Sequence, residues 1–217
     1  DNKTAMCLHV FFNSMGSEGG KLLADAIKAH PNYAQIAMSM FDGKTDVDMS
    51  NKGLDAGDAF IIAAALEKND QVQYLNIFCS SFGQAGVEAM AEALKSNKTL
   101  EEIYVGNVME GCTVRLKSSG EIKIVSQLGD NFVGHGVKCH GYEHKENYGF
   151  IKPSELDLIP AVLPAKQLRE NTIETLDLSN KGLGVDGGLM LAALMAGNSS
   201  TQYLKVFSNS MGSEGGK

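Results

Sequence analysis

Short apolar pairs recur along the chain, each with one residue between its members: Leu8 and Val10, Val47 and Met49, Leu75 and Ile77, Ile103 and Val105, Leu176 and Leu178, Leu204 and Val206. This alternation predicts a short strand with one buried face. Seven residues after the first member of most pairs stands another apolar residue: Met15, Leu54, Phe82, Leu183 or Met211. Fifteen residues beyond that comes a polar helix-stop type: His30, Asn69, Asn97 or Asn198. Between them, offsets 8, 9 and 12 carry Leu23, Ala24 and Ile27; Ile62, Ala63 and Leu66; Met90, Ala91 and Leu94; Leu191, Ala192 and Met195. That spacing predicts one apolar stripe on a helix. The asparagine that follows is expected to close the helix in the left-handed conformation it tolerates. Each unit thus reads strand, loop, helix, turn. None can bury its apolar face alone, so neighbours must stack.

Successive pairs start 39, 28, 28, 73 and 28 residues apart. The unit is 28, with eleven extra residues in the first gap and 45 in the fourth. The segment Ile173-Glu174-Thr175-Leu176-Asp177-Leu178-Ser179-Asn180-Lys181-Gly182-Leu183 resembles a leucine-rich repeat, and so does the stretch from Val87 to Leu100. A period of 28 with a full helix per unit is similar to the ribonuclease-inhibitor-like class, found also in NOD-like receptors and the GTPase-activating protein of Ran. The resemblance covers roughly four-fifths of the chain. It implies an α/β fold, a curved solenoid with parallel strands lining the concave face and helices outside. Function lives on individual surfaces of such a scaffold. The chain departs from ribonuclease inhibitor in having only four cysteines, and its two arginines, Arg115 and Arg169, lie outside any repeat strand or strand-to-helix loop, where a catalytic finger would sit.

The extra 45 residues change the pattern between about 111 and 155. Val114-x-Leu116, Ile122-x-Ile124, Phe132-Val133, Val137-x-Cys139 and Phe150-Ile151 alternate in short runs among six glycines, with Ser119-Gly120 and Gly129-Asp130 as hairpin turns. A small all-β module of about five strands is expected. The stretch from Tyr148 to Leu156 resembles the last strand and one-turn helix of SH3-like barrels. The domain reading is therefore leucine-rich repeats over 1–110, an SH3-like insert over 111–155 and repeats again over 156–217, with the interrupted unit's helix running from about Pro160 to Asn171.

Residues 8–21 and 204–217 match at 12 of 14 positions, differing only at His9/Lys205 and Phe12/Ser208. Neighbouring repeats are far less alike, so a block of this length is read as a recent duplication. The last helix is expected to start where the sequence stops, without the capping unit that repeat arrays use. The chain is therefore expected to be a piece of a longer array, and neighbouring copies of the block are candidate partners.

Composition narrows the function. Hydrophobic residues make up 43% and charged residues 21%, enough for a packed core. The net charge of -7 argues against a dedicated nucleic-acid or anionic-membrane binder. The insert holds six basic and four acidic residues over 111–152, which leaves about -9 on the repeats. No apolar stretch is long enough to span a bilayer and no leader is visible at Asp1-Asn2-Lys3-Thr4. Four dispersed cysteines, Cys7, Cys79, Cys112 and Cys139, suggest thiols in a reducing, cytoplasmic setting.

Several patterns invite chemistry. His135, Cys139, His140 and His144 put four metal-ligand types within ten residues, suited to zinc. A second cysteine pair is missing, and on a strand Cys139 and His140 face opposite sides; a glycine- and histidine-rich loop with a buried cysteine is the favoured account of them, and metal the lesser alternative. Gly182-x-Gly184-x-x-Gly187 has dinucleotide-fingerprint spacing, yet glycines recur at most strand-to-helix loops, where tight turns need them. No Ser-His-Asp order or nucleophile elbow stands out. The expectation is no enzyme, no cofactor and no resident metal.

The concave face is the candidate site. Residues at offsets 1 and 3 of each pair are expected to point away from the core, giving Phe11, Asn76, Phe78, Tyr104, Asp177 and Phe207, with Tyr74 just before its pair. Aromatic anchors on a rigid sheet suit protein binding. The first reading is a non-enzymatic scaffold that binds protein partners in a larger assembly, with the insert as a second contact module. The alternatives are a regulator of an enzyme, of GTPase-activating or inhibitor type, and an innate-receptor-like fragment that senses a ligand or nucleic acid.

Overall fold

In a computed structural model of the chain, residues 3–107, 112–128, 137–139 and 155–212 are described. The elements run α1 (Gly16–Lys28), α2 (Tyr33–Ser39), β1 (Asp46–Asp48), α3 (Ala56–Lys68), β2 (Tyr74–Asn76), α4 (Gly83–Ser96), β3 (Glu102–Val105), β4 (Thr113–Leu116), β5 (Ile122–Leu128), β6 (Val137–Cys139), β7 (Leu156–Leu158), β8 (Ala161–Leu163), α5 (Ala165–Arg169), β9 (Thr175–Asp177), α6 (Gly184–Met195) and β10 (Tyr203–Lys205). The fold is mixed α/β and built on the 28-residue repeat.

β1, β2 and β3 are parallel, with Val47, Leu75 and Ile103 side by side in register. β9 and β10 form a second parallel pair, with Leu176 beside Leu204. The helices pack in the order α1, α3, α4, α6. One apolar core lies between strands and helices, centred on Leu54, Ile62, Leu66, Leu75, Phe82, Met90, Leu94, Leu100 and Ile103. The buried stripe falls on Gly86, Val87, Met90, Ala93 and Leu94 of α4 and on Gly187, Met190, Leu191 and Leu194 of α6. Ala192, expected on that stripe, is exposed, because the core-facing row passes through 187, 190, 191 and 194.

Four other expectations need correction. The first pair, Leu8 and Val10, forms no strand. The eleven extra residues build α2 and the turn after it, and the first unit ties down differently: Phe11 stacks on Phe41 at 5.9 Å and the Phe12 N–H donates to Asp58 at 3.0 Å. Next, Asn69 and Asn97 are extended, with φ of -82° and -64°, not left-handed. The interrupted unit's helix is also short. Pro164 stands at the N-terminus of α5, and a proline disfavours the helical region for the residue before it, so the stretch between Pro160 and Pro164 becomes β8, antiparallel to β3. Lastly, the insert's sheet takes in Leu156–Leu158, which pairs with β4 although the repeat spacing places it in the second repeat block.

The insert sheet has the order β6-β5-β4-β7, with every pairing antiparallel. Gly120 makes the turn between β4 and β5. The expected runs Phe132-Val133 and Phe150-Ile151 and the Gly129-Asp130 turn lie outside the described residues.

With the fourth unit's helix cut short, α6 packs directly on α4, and the Phe82 N–H donates to the Asp186 carboxylate at 3.1 Å across 104 residues of sequence. Gly106 makes this closure possible. Its φ is +101°, and a Cβ there would lie 2.5 Å from the Gly182 carbonyl oxygen.

Candidate functional site

The face of the β1-β2-β3 sheet turned from the core carries two rows. Asp46, Tyr74 and Glu102 form one and Asp48, Asn76 and Tyr104 the other, each row set by the parallel register. Val47, Leu75 and Ile103 alternate with them toward the core, as the strand period requires. A hollow of about 330 Å³ is lined by Asp46, Val47, Asp48, Tyr74, Asn76 and Tyr104. It adjoins a larger hollow of about 580 Å³ that shares Asp46, Val47 and Asp48 and includes His9, Phe11 and Phe12.

Carboxylates hold the tyrosines. The Tyr104 hydroxyl donates to Glu102 at 2.7 Å, and the Tyr74 hydroxyl to Glu101 at 3.1 Å. Donation to Glu102, with burial second, pushes Tyr104 up to about 12, and Glu101 raises Tyr74 in the same way. Glu101 also accepts from Lys166 at 2.9 Å, and that ammonium holds its carboxyl below the ordinary range. The face therefore offers two fixed rings amid Asp46, Asp48, Glu101 and Glu102.

Tyr74, Asn76 and Tyr104 come together on this face, all half-buried. Phe11 lines the adjoining hollow. Asp177 lies on the other sheet and Phe207 just past the end of β10, both exposed, with Asp177 facing Lys205 at 3.7 Å. Phe78 is not on the exposed face: it is buried at 4% relative exposure. β2 ends at Asn76, so Phe78 lies beyond the strand and its alternation, ahead of the left-handed residue Cys79. Two of the expected polar contacts also have a structural task. Asn76 accepts from the Phe78 N–H at 3.1 Å and Asp177 from the Ser179 N–H at 3.0 Å, each bending the chain out of its strand.

Sequence reasoning missed Asp46, Glu101 and Glu102 on this face. Asp46 and Glu102 occupy the place in the unit that Tyr74 occupies, so applying that offset to every unit finds them. Glu101 and Lys166 meet only because α5 returns beside β3. The glycine pattern at 182–187 is accounted for by packing: a Cβ at Gly187 would touch Leu183 and Val105. Among the described residues no three His, Cys, Asp or Glu side chains gather as metal ligands. His135, His140 and His144 lie outside the described residues, and for Cys139 only the strand pairing is described.

Residues 2–24 match a family model described as Leucine Rich repeat, which supports a leucine-rich repeat protein. Such repeats generally serve as protein-interaction modules and are typically not enzymes. No curated protein matches the chain. Among the described residues no helix is long and apolar enough to cross a membrane.

Proposed function

We propose that the chain is a non-enzymatic scaffold, a curved solenoid of the ribonuclease-inhibitor-like class that binds protein partners through its concave sheet and an SH3-like insert within a larger, cytoplasmic assembly. One observation carries the reading. Tyr74 and Tyr104, held by Glu101 and Glu102, stand on one sheet face around a hollow of about 330 Å³. Rings fixed by hydrogen bonds lose little freedom on binding, and tyrosine is among the residues that dominate interface energy. The surrounding carboxylates disfavour nucleic acid on this face, since its phosphates would meet like charge. The test compares proteins captured from the native source by the parent, by Tyr74→Ala and Tyr104→Ala, and by a chain lacking 111–158. Loss of the same partners with either tyrosine variant supports the sheet. Partners kept by both tyrosine variants and lost with the insert would move the site to the β module.

A further inference from the structure

α3 and α6 carry an aspartate at the same place in their first turns, but the two side chains end differently. Asp58 and Asp186 each accept a backbone N–H from an earlier unit, from Phe12 at 3.0 Å and from Phe82 at 3.1 Å. The second oxygen of Asp58 accepts from the Asp55 N–H at 3.2 Å and closes a capping box. The equivalent donor in α6 is the Leu183 N–H, and the Asn209 side chain already takes it, at 3.2 Å. Asp186 therefore keeps one oxygen on Phe82, and the other has no hydrogen-bond partner among the described residues.

That carboxylate lines a hollow of about 400 Å³ formed by the end of β2, the loop into α4, the end of β3 and the start of α6. Buried apolar side chains make its walls: Ile77, Phe82, Val105, Leu183 and Met190. Val185 adds exposed apolar surface. Asp186 is the one charged residue of the described lining, and no lysine, arginine or histidine lines the hollow with it. Burial holds its carboxyl above the ordinary value, and no neighbouring charge offsets that desolvation. The hollow shares no lining residue with the one on the sheet face around Tyr74 and Tyr104.

A volume of about 400 Å³ lies within the range of about 300–1,000 Å³ that small-molecule sites occupy, and apolar walls with a few convergent polar groups are their usual composition. A carboxylate at a partly desolvated position attracts an opposite charge more strongly than one in open water. We propose that this hollow binds a small organic cation, an ammonium group on an apolar body. The ammonium donates to the Asp186 oxygen that Phe82 does not use, and the body lies against Ile77, Val105, Val185 and Met190. An anionic ligand would meet like charge there. A wholly apolar one would desolvate Asp186 further without supplying a partner.

The probe is phenethylamine at pH 7, titrated into the parent chain and followed by the NMR signals of Val105, Leu183, Gly184 and Met190. Saturable shifts at these residues are expected, with a Kd near or below about 1 mM. Phenethyl alcohol, with the same body and no charge, should bind at least about tenfold more weakly, and the anion hydrocinnamate more weakly still. Asp186→Asn, whose melting curve checks that it folds, should bind the amine no better than the alcohol. Should that variant not fold, the order of the three probes on the parent decides. Equal binding of amine and alcohol would overturn the proposal, as would an Asp186→Asn chain that keeps the parent's preference. Shifts confined to Asp46, Tyr74 and Tyr104 would place the cation on the sheet face and overturn it as well. Tighter binding of N-acetyl-lysine methylamide than of phenethylamine would assign the hollow to a lysine of a protein partner, against a small-molecule site. No saturable shift by about 10 mM amine would leave the hollow without affinity for such cations, which also overturns it.

Discussion

The Asn97 side-chain amide donates to the Asn69 carbonyl at 3.1 Å, joining equivalent positions of consecutive units. The same amide donates to Leu66 at 2.8 Å, while its oxygen accepts from the N–H groups of Thr99 and Leu100. Asn69 repeats the arrangement one unit earlier, donating to Ala37 and accepting from Gln71 and Val72. Each buried asparagine is a staple that satisfies backbone groups at the end of its own helix and of the preceding one, which explains why its backbone is extended. Asn97→Ala strips partners from several buried groups and is expected to cost about 2–4 kcal/mol, each orphaned buried group costing about 1–3. Asn97→Asp is expected to fail as well, because a carboxylate cannot donate to Leu66 and Asn69. Chemical denaturation of both variants checks this; either one within 0.5 kcal/mol of the parent, roughly the surface range, would remove the staple from the account.

The helix layer depends on close backbone approach where α1 crosses α3. A Cβ at Gly20 would lie 2.2 Å from the Gly57 Cα and 2.4 Å from its carbonyl oxygen, and neither atom can rotate away. Gly20→Ala is therefore expected to destabilise by about 1–3 kcal/mol or more, the overpacking range, although alanine ordinarily favours a helix over glycine. Leu22→Ala, at a side chain 66% exposed on the same helix, is the control and should stay within about 0.5 kcal/mol. Equal melting temperatures for parent and Gly20→Ala would show that the crossing can widen freely.

Phe78 and Tyr104 separate core from surface. Both were expected on the sheet's open face, but Phe78 is buried and Tyr104 is half-buried with its hydroxyl on Glu102. Phe78→Ala should cost about 3–5 kcal/mol by leaving a cavity. Tyr104→Ala should cost less and weaken partner binding by roughly 1–3 kcal/mol if it is an anchor. Melting curves and a titration with any partner captured by the parent decide. A Phe78→Ala chain as stable as the parent would return that ring to the surface.

The 28-residue period, the strand and helix of most units and the rows facing the core are legible because apolar spacing directly reports burial. What lay hidden is set by neighbours. Phe12, Asn51, Cys79, Asn180 and Ser208 all take positive φ at the same place in their units, yet no residue type marks that place. Asn51, Cys79 and Asn180 share a reason: each N–H there donates to a carbonyl of the following unit, at Phe78, Gly106 and Phe207 respectively. Tyr74, Asn76 and Tyr104 were readable as a group from alternation within strands. Phe78 was not, because it lies past the end of β2, where strand alternation no longer reports direction. α5 was misjudged for a local reason that was readable: Pro164 already forbade a helix running through it.

Asp186 closes the gap left by the shortened fourth unit, and its protonation should be visible in stability. It sits half-buried at the start of α6, beside a hollow of about 400 Å³ lined by Ile77, Phe82, Val105, Leu183 and Met190 among others. Burial pushes its carboxyl above the ordinary value of 3.8, against the smaller opposing effect of the Phe82 N–H. A carboxyl raised in the folded state binds its proton more tightly there than in the unfolded chain. Its contribution to stability is therefore fully present below 3.8 and is lost as pH rises through the folded value. At pH 7 the group is charged at a partly desolvated position. Asp186→Asn removes that charge and keeps an oxygen for the Phe82 N–H, so the variant is expected to be more stable than the parent at pH 7. The advantage should shrink as pH falls toward 3.8, where the parent's carboxyl also becomes neutral. Urea denaturation of both proteins at pH 7, 5 and 4 reads the difference directly. A gap that stays constant across that range would assign the effect to hydrogen-bond geometry and not to charge, and a variant less stable at pH 7 would mean that the bond from Phe82 outweighs burial.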